Sequence, residues 1–266
     1  MSEGPEARDW QGNPVQCEGC RHQDLLARGG CQPRRACVND RYARRIDRFF
    51  SLNPDLAPEY LHHPYFEVCA VASTHANRFV LKELMDHPDE TVRACVALRL
   101  PQALLIKMRN DRDREVRIRV AAALTTSRLS LMMHDPDYYV RVIVARRAHR
   151  SVLAQMIDDS ESEVRLEVAR RLDEKILPAM TLDADARVRA IVASRIAQGL
   201  LPRLREDADW RVRLEVGRRI APEFLSEMAN DEDEMVAQLV ANRLSVDLTE
   251  DHGDGLTQGS EMAEGS

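Results

Sequence analysis

No stretch of this sequence is long and apolar enough to span a bilayer, which takes about 20 residues. Its glycines form no phosphate-cradling loop and no Gly-x-Ser-x-Gly elbow, and its histidines lack the spacing of a zinc protease helix, so no catalytic motif is present and an enzyme is not expected. The opening MSEGPEARDWQGN has neither the basic nor the apolar part of a signal peptide, from which cytoplasmic residence and no membrane contact are expected. In that compartment six cysteines argue for metal or free thiols over disulfides. Nor is the chain a polycation: residues 1–50 carry +2, residues 51–244 carry −2 and residues 245–266 carry −6, which makes nucleic acid the less expected partner. The last segment, rich in Gly, Ser and acid, reads as a disordered, solubilising tail.

What the chain does have is a period. Val-Arg recurs at Val92, Val116, Val140, Val164, Val188 and Val212, in steps of 24 residues, with Val68 and Val236 one step further out on either side. At least eight units therefore run from about residue 68 to 244. A unit this short cannot enclose a core and must bury its apolar face on its neighbours. Val96, Val120, Val144, Val168, Val192, Val216 and Val240 follow the mark by four residues, which is a helical stripe. Asp89, Asp113, Asp137, Glu161, Asp185, Asp209 and Asp233 precede it by three, where a carboxylate caps orphan amides. One helix of about ten residues per unit is predicted. A second apolar pair, such as Leu105 with Met108 or Leu177 with Met180, leaves room only for a short α or 3₁₀ turn. The expected division is a cluster domain over 1–50, a repeat solenoid over 51–244 and the tail over 245–266.

Four cysteines stand outside the repeats, Cys17, Cys20, Cys31 and Cys37, in the pattern C-x2-C-x10-C-x5-C. Gly19, Gly29, Gly30 and Pro33 supply the tight loops that a ligand cluster needs. A structural zinc site usually presents two short knuckles, and here only Cys17 and Cys20 form one. Irregular spacing suits an iron-sulfur cluster, whose irons sit apart, yet ligand count alone leaves zinc open. Arg41, Arg44, Arg45 and Arg48 follow on an amphipathic segment with Ile46, Phe49 and Phe50. Three readings of these arginines compete: a solvated face, compensation of a negative cluster, or docking of an acidic partner. His62 and His63, before a proline, read as turn residues, and Cys69 and Cys95 as small buried side chains of the repeat helices.

The unit DPDYYVRVIVARRAHRSVLAQMI together with the leading cysteine pattern resembles the leucine-rich repeat variant proteins of nitrogen-fixing bacteria, over about residues 15–244. The resemblance implies an all-α fold: a right-handed superhelical solenoid of 24-residue repeats alternating α and short 3₁₀ helices, behind a small N-terminal domain. It also implies that Cys17, Cys20, Cys31 and Cys37 are all ligands of a [4Fe-4S] cluster. The sequence departs from the pattern at Cys69 and Ala237, where the repeat arginine is missing; those end units are read as caps.

The repeat arginine lies about 100° round the helix from the mark, beside the apolar arc. Asp111, Asp135, Asp159, Asp183 and Asp207 each precede a repeat arginine by six residues, and Asp231 continues the series. A structural ladder between units is expected, against the competing reading of an arginine surface for phosphate or acidic side chains. The expected function is an iron-sulfur interaction protein that binds an unidentified protein partner, redox or nitrogen-fixation related. An electron carrier that docks a redox enzyme is the second possibility, and a nucleic-acid-binding solenoid of the HEAT kind with a zinc head is the third.

Overall fold

The computed structural model describes residues 5–250, so most of the segment read as a tail lies outside the described residues. Two compact units divide the chain, Met1–Arg147 and Ala148–Ser266. Among the described residues there is no strand, only two isolated bridges in the head, and no helix is long and apolar enough to cross a membrane.

In the first unit the repeat helices are Phe66–His75, Glu90–Ala97, Arg114–Ala123 and Tyr138–Arg147. In the second they are Ser162–Arg171, Ala186–Arg195, Trp210–Arg219 and Glu234–Glu250. Between them run the short segments the spacing predicts, among them the 3₁₀ turns Thr126–Met132, Leu177–Met180 and Gln198–Leu204. The helices start where the aspartates stand. Asp113 Oδ1 accepts from the amides of Glu115 at 2.8 Å and Val116 at 3.2 Å, and Asp89, Asp185 and Asp209 cap in the same way. Glu161, one methylene longer, makes no such cap bond.

The valine marks and the valines four residues later are fully buried, as are Leu129, Leu153, Leu177 and Leu201 from the short segments. Each such side chain contributes roughly 1.5–3 kcal/mol. Ala97, Ala121, Ala145, Ala169 and Ala193 are buried completely as well. Gly217 occupies this column in the Trp210–Arg219 helix, and a Cβ added there meets its nearest neighbour, Leu239 Cδ2, at 3.5 Å, an ordinary contact. Because the site has room and a helix interior favours alanine, Gly217→Ala should stabilise by about 0.5–1 kcal/mol in denaturant melts. A loss of stability would show that the helices pack more tightly at this unit than its contacts indicate.

Within each compact unit two arginine columns hold neighbouring repeats in register. Arg93, Arg117, Arg165, Arg189 and Arg213 each pair with the aspartate 18 residues ahead: Asp111, Asp135, Asp183, Asp207 and Asp231, at 2.7–3.0 Å. The same guanidinium donates from Nη1 to the backbone six residues behind it, as Arg189 does to Asp183 O at 2.8 Å. The ladder is therefore structural, and its ion pairs reach the next repeat's aspartate while only the carbonyl belongs to the arginine's own repeat. The second column carries no signal in the apolar pattern. Arg99, Arg147, Arg195, Arg219 and Arg243 reach back to the carbonyls that end the preceding helix, Arg219 to Ala193 O at 2.6 Å and Ile196 O at 2.9 Å.

Within the first unit the head packs directly on the first repeat. Trp10 stacks on Tyr65 with ring centroids 5.9 Å apart, the Tyr65 hydroxyl donates to Arg41 O at 3.1 Å, and Asp47 meets His75 at 2.8 Å.

Candidate metal centre

Each cysteine of the head is delivered by a tight backbone device. The Cys17–Cys20 knuckle is a β-turn closed by Cys20 N donating to Cys17 O at 3.2 Å, with Gly19 at φ +73°, the third position where only glycine turns freely. The short helix Gln23–Ala27 ends in a Schellman motif: Gly29, at φ +77°, donates to Leu26 O at 3.2 Å and Gly30 to Leu25 O at 2.8 Å. That reversal presents Cys31. A hairpin then runs to Cys37, with Gln32 and Ala36 each donating a backbone hydrogen bond of 2.8 Å to the other's carbonyl around Pro33 and Arg34. Arg34 sits at φ +63°, the conformation a type II turn demands after proline. Cys37 is fixed in turn by its amide, which donates to Arg45 O at 3.1 Å.

These devices bring Cys17, Cys20, Cys31 and Cys37 to the wall of one recess, lined also by Val15, Leu26, Val38 and Phe49. All four are free thiols, partly exposed. Among the described residues no group of three or more His, Cys, Asp or Glu side chains is placed to hold a metal ion. Their chemistry nonetheless asks for a cation. Burial pushes the Cys37 thiol up to about 11, and the proximity of Asp40, Cys31 and Cys17 adds to the rise. Cys31 is raised by burial and then by Cys17 and Cys20, so its ionisation is opposed by the neighbouring sulfurs. A metal centre in the recess would supply the missing positive charge and reverse that balance, so the donor set fits an iron-sulfur group.

The arginines do not supply it. None lines the recess. Arg41, Arg44 and Arg48 are exposed, as a solvated face requires. Arg45 is buried, bonded to Asp40 at 2.7 Å and to Pro5 O at 2.6 Å, with the Asp40 carboxylate wholly enclosed. Of these four arginines the buried one, Arg45, is neutralised by its own aspartate and anchors the N-terminal segment, so the structure lends the compensation reading no support.

Three residues of the site escape a reading based on cysteine spacing. His22 is buried, lines the recess and hydrogen-bonds through Nε2 to the Tyr60 hydroxyl. Its ring packs against Phe49 with centroids 5.1 Å apart. Burial holds the imidazole below its ordinary range, with Arg21 acting in the same direction. Asn39 lines the recess as well, and its Nδ2 donates to the Cys20 sulfur at 3.6 Å. His22 follows Cys20 by two residues, a signal of sorts; Tyr60 carried none. His63 is a turn residue as expected, its Nδ1 accepting from Tyr65 N at 3.1 Å, and His62 is exposed. Cys69 is buried and its thiol donates to His63 O at 2.9 Å; Cys95 is only half-buried on its helix.

A four-cysteine recess packed on 24-residue α/3₁₀ repeats defines an iron-sulfur repeat protein. The family model of the LRV protein FeS4 cluster matches residues 7–59. A solved structure, described as a leucine-rich repeat variant with a novel repetitive protein structural motif, is 40% identical, superposes with a TM-score of 0.83, and the match covers 86% of this chain and 99% of that one. The chain belongs to the leucine-rich repeat variant family. An uncharacterized 27.7 kDa protein in the nifB 3′ region of Rhodobacter capsulatus is 53% identical over 85 residues, which is 32% of this chain and 35% of the length of that relative.

Proposed function

We propose that Cys17, Cys20, Cys31 and Cys37 hold a [4Fe-4S] cluster and that the repeats present a non-catalytic docking surface to a protein partner, with the cluster tuning or reporting on the docking. One observation carries this reading: four cysteines from three successive loops line a single recess beside the first repeat. The repeats have apolar side chains to offer a partner, Phe79 in the first unit and Leu182 in the second being 78% and 92% exposed. The R. capsulatus relative is named for its place in the nifB 3′ region, which supports a partner related to nitrogen fixation. Partial exposure of the cysteines also favours a second reading, an electron carrier, since a shallow cluster exchanges electrons with a docked enzyme. A nucleic-acid groove has less to recommend it, because the repeat arginines that would line it are spent on the ladder.

Anaerobically purified protein should be brown, with iron and sulfide in equal amounts. Cys17→Ser should lose or destabilise the cluster, and Cys95→Ser should leave it intact. A colourless protein with one zinc per chain would refute the cluster, and equal loss in both variants would refute the ligand set. Affinity capture from native cells under anaerobic conditions, with wild type beside Cys17→Ser, tests whether partner binding depends on the cluster.

A further inference from the structure

Asn39 touches two of the four cysteines, the second and the last. Its Nδ2 donates to the Cys20 sulfur at 3.6 Å, and its backbone N–H donates to the Cys37 sulfur. The residue cannot easily swing away. Val38 before it is buried to 1% exposure, and Asp40 after it is held by Arg45 at 2.7 Å and by the amide of Tyr42 at 3.0 Å. The amide is thus aimed at a sulfur by a loop locked on both sides, in a half-buried position where water competes poorly for the donor.

A thiol is a poor acceptor, but a thiolate bound to iron carries charge and accepts a hydrogen bond well. When the cluster takes up an electron, part of the added charge falls on its thiolates, so a donor aimed at one of them favours the reduced state. We propose that Asn39 is a potential-setting residue, its side-chain amide raising the reduction potential of the centre through the Cys20 thiolate. This rests on the cluster reading above. Asn39 is a positioning residue in this scheme, since the electron resides on the cluster and no bond to Asn39 forms or breaks.

The test is a redox titration of the full-length, anaerobically purified protein, followed by electron paramagnetic resonance, with dithionite as the reductant. One electron passes from dithionite, which is oxidised, to the cluster, which is reduced. Asn39→Leu, close in size but without a donor, should shift the ratio of reduced to oxidised cluster about tenfold towards oxidised at a fixed potential, about 59 mV for one electron. Asn39→Asp, with a negative charge in place of the donor, should shift it at least as far. Asn39→Gln returns the amide on a longer arm and should fall between Asn39→Leu and wild type. Should Asn39→Leu fail to retain iron and sulfide while Asn39→Gln retains them, the same donor dependence holds at the level of assembly. An unchanged potential in Asn39→Leu, equal shifts in Asn39→Leu and Asn39→Gln, or cluster loss in both would overturn the assignment to the amide. A wild-type protein that binds only zinc fails earlier, and overturns the cluster reading together with this one.

Discussion

Arg165→Ala should destabilise the protein by about 3–5 kcal/mol, the cost of leaving a buried ion-pair partner alone. The guanidinium makes a fork to Asp183, Nε to Oδ2 at 2.8 Å and Nη2 to Oδ1 at 2.9 Å, and Nη1 donates to Asp159 O at 2.8 Å. The two side chains are 13% and 5% exposed, so water cannot replace the lost donors fully. Arg203, exposed on the Gln198–Leu204 turn, is the control, and Arg203→Ala should change stability by no more than roughly 0.5 kcal/mol. Arg170 is a poorer control, because it pairs with Glu167, whose side chain is only 11% exposed. Denaturant melts in which Arg165→Ala and Arg203→Ala are alike would place the ladder in solvent and return its arginines to a binding role.

The ladder also fixes a pH dependence. Asp231 is held below its ordinary range chiefly by the hydrogen bond from Arg213. At Asp111 and Asp207 burial works the other way, and the hydrogen bonds from Arg93 and Arg189, helped by backbone amides, overcome it. A carboxylate depressed in the folded state binds its proton more readily when unfolded. Its contribution is complete above the unfolded value of about 3.9 and is lost as pH falls through the folded one. Thermal stability should accordingly hold from pH 7 to about 5 and fall below about 4, more gently in Asp231→Asn, which starts lower.

The fold was legible because a 24-residue period repeats each physical constraint many times. Val116 alone could lie in a helix or a strand; Val116 with Val120, an aspartate at 113 and seven similar units could not. What the period conceals is which copy of a column meets which. Asp159 and Asp183 stand equally well as partners of Arg165 along the chain, and only stacking decides for Asp183 at 2.8 Å. The arginines at 147, 195 and 219 recur with the same period, yet they fall on the polar side of the stripe and signal nothing until the next helix end is in place. In the head nothing repeats, so only residues with strong chemistry of their own stood out. The cysteines did. Asn39 and Tyr60 matter through a neighbour brought up by the fold, and Arg45 differs from Arg44 and Arg48 only because Asp40 is enclosed beside it.

Deleting one whole period from the second unit, residues 188–211, should leave a shorter but cooperatively folded protein. The deletion joins Arg187 to Val212, and every register closes again. Asp185 is then placed to cap the helix that begins in front of Val212, as it now caps Ala186–Arg195. Arg213 finds Asp183 O six residues behind it, the acceptor Arg189 uses in the intact chain, and keeps its pair with Asp231. Arg219 meets the carbonyls of Ala169 and Leu172, now bound by Arg195 at 2.5 and 2.9 Å. Removing only residues 188–199 takes away most of the Ala186–Arg195 helix and the first two residues of the Gln198–Leu204 turn while keeping the rest of that turn, so Ser162–Arg171 and Trp210–Arg219 are offered no matching faces. Circular dichroism should show helix content per residue preserved in the 24-residue deletion, with a single melting transition, and reduced in the 12-residue deletion. In an array stabilised by neighbour contacts the smaller excision does the greater damage. Equal damage from both would mean that the units depend on contacts beyond their neighbours, and the near-neighbour account of this fold would fail.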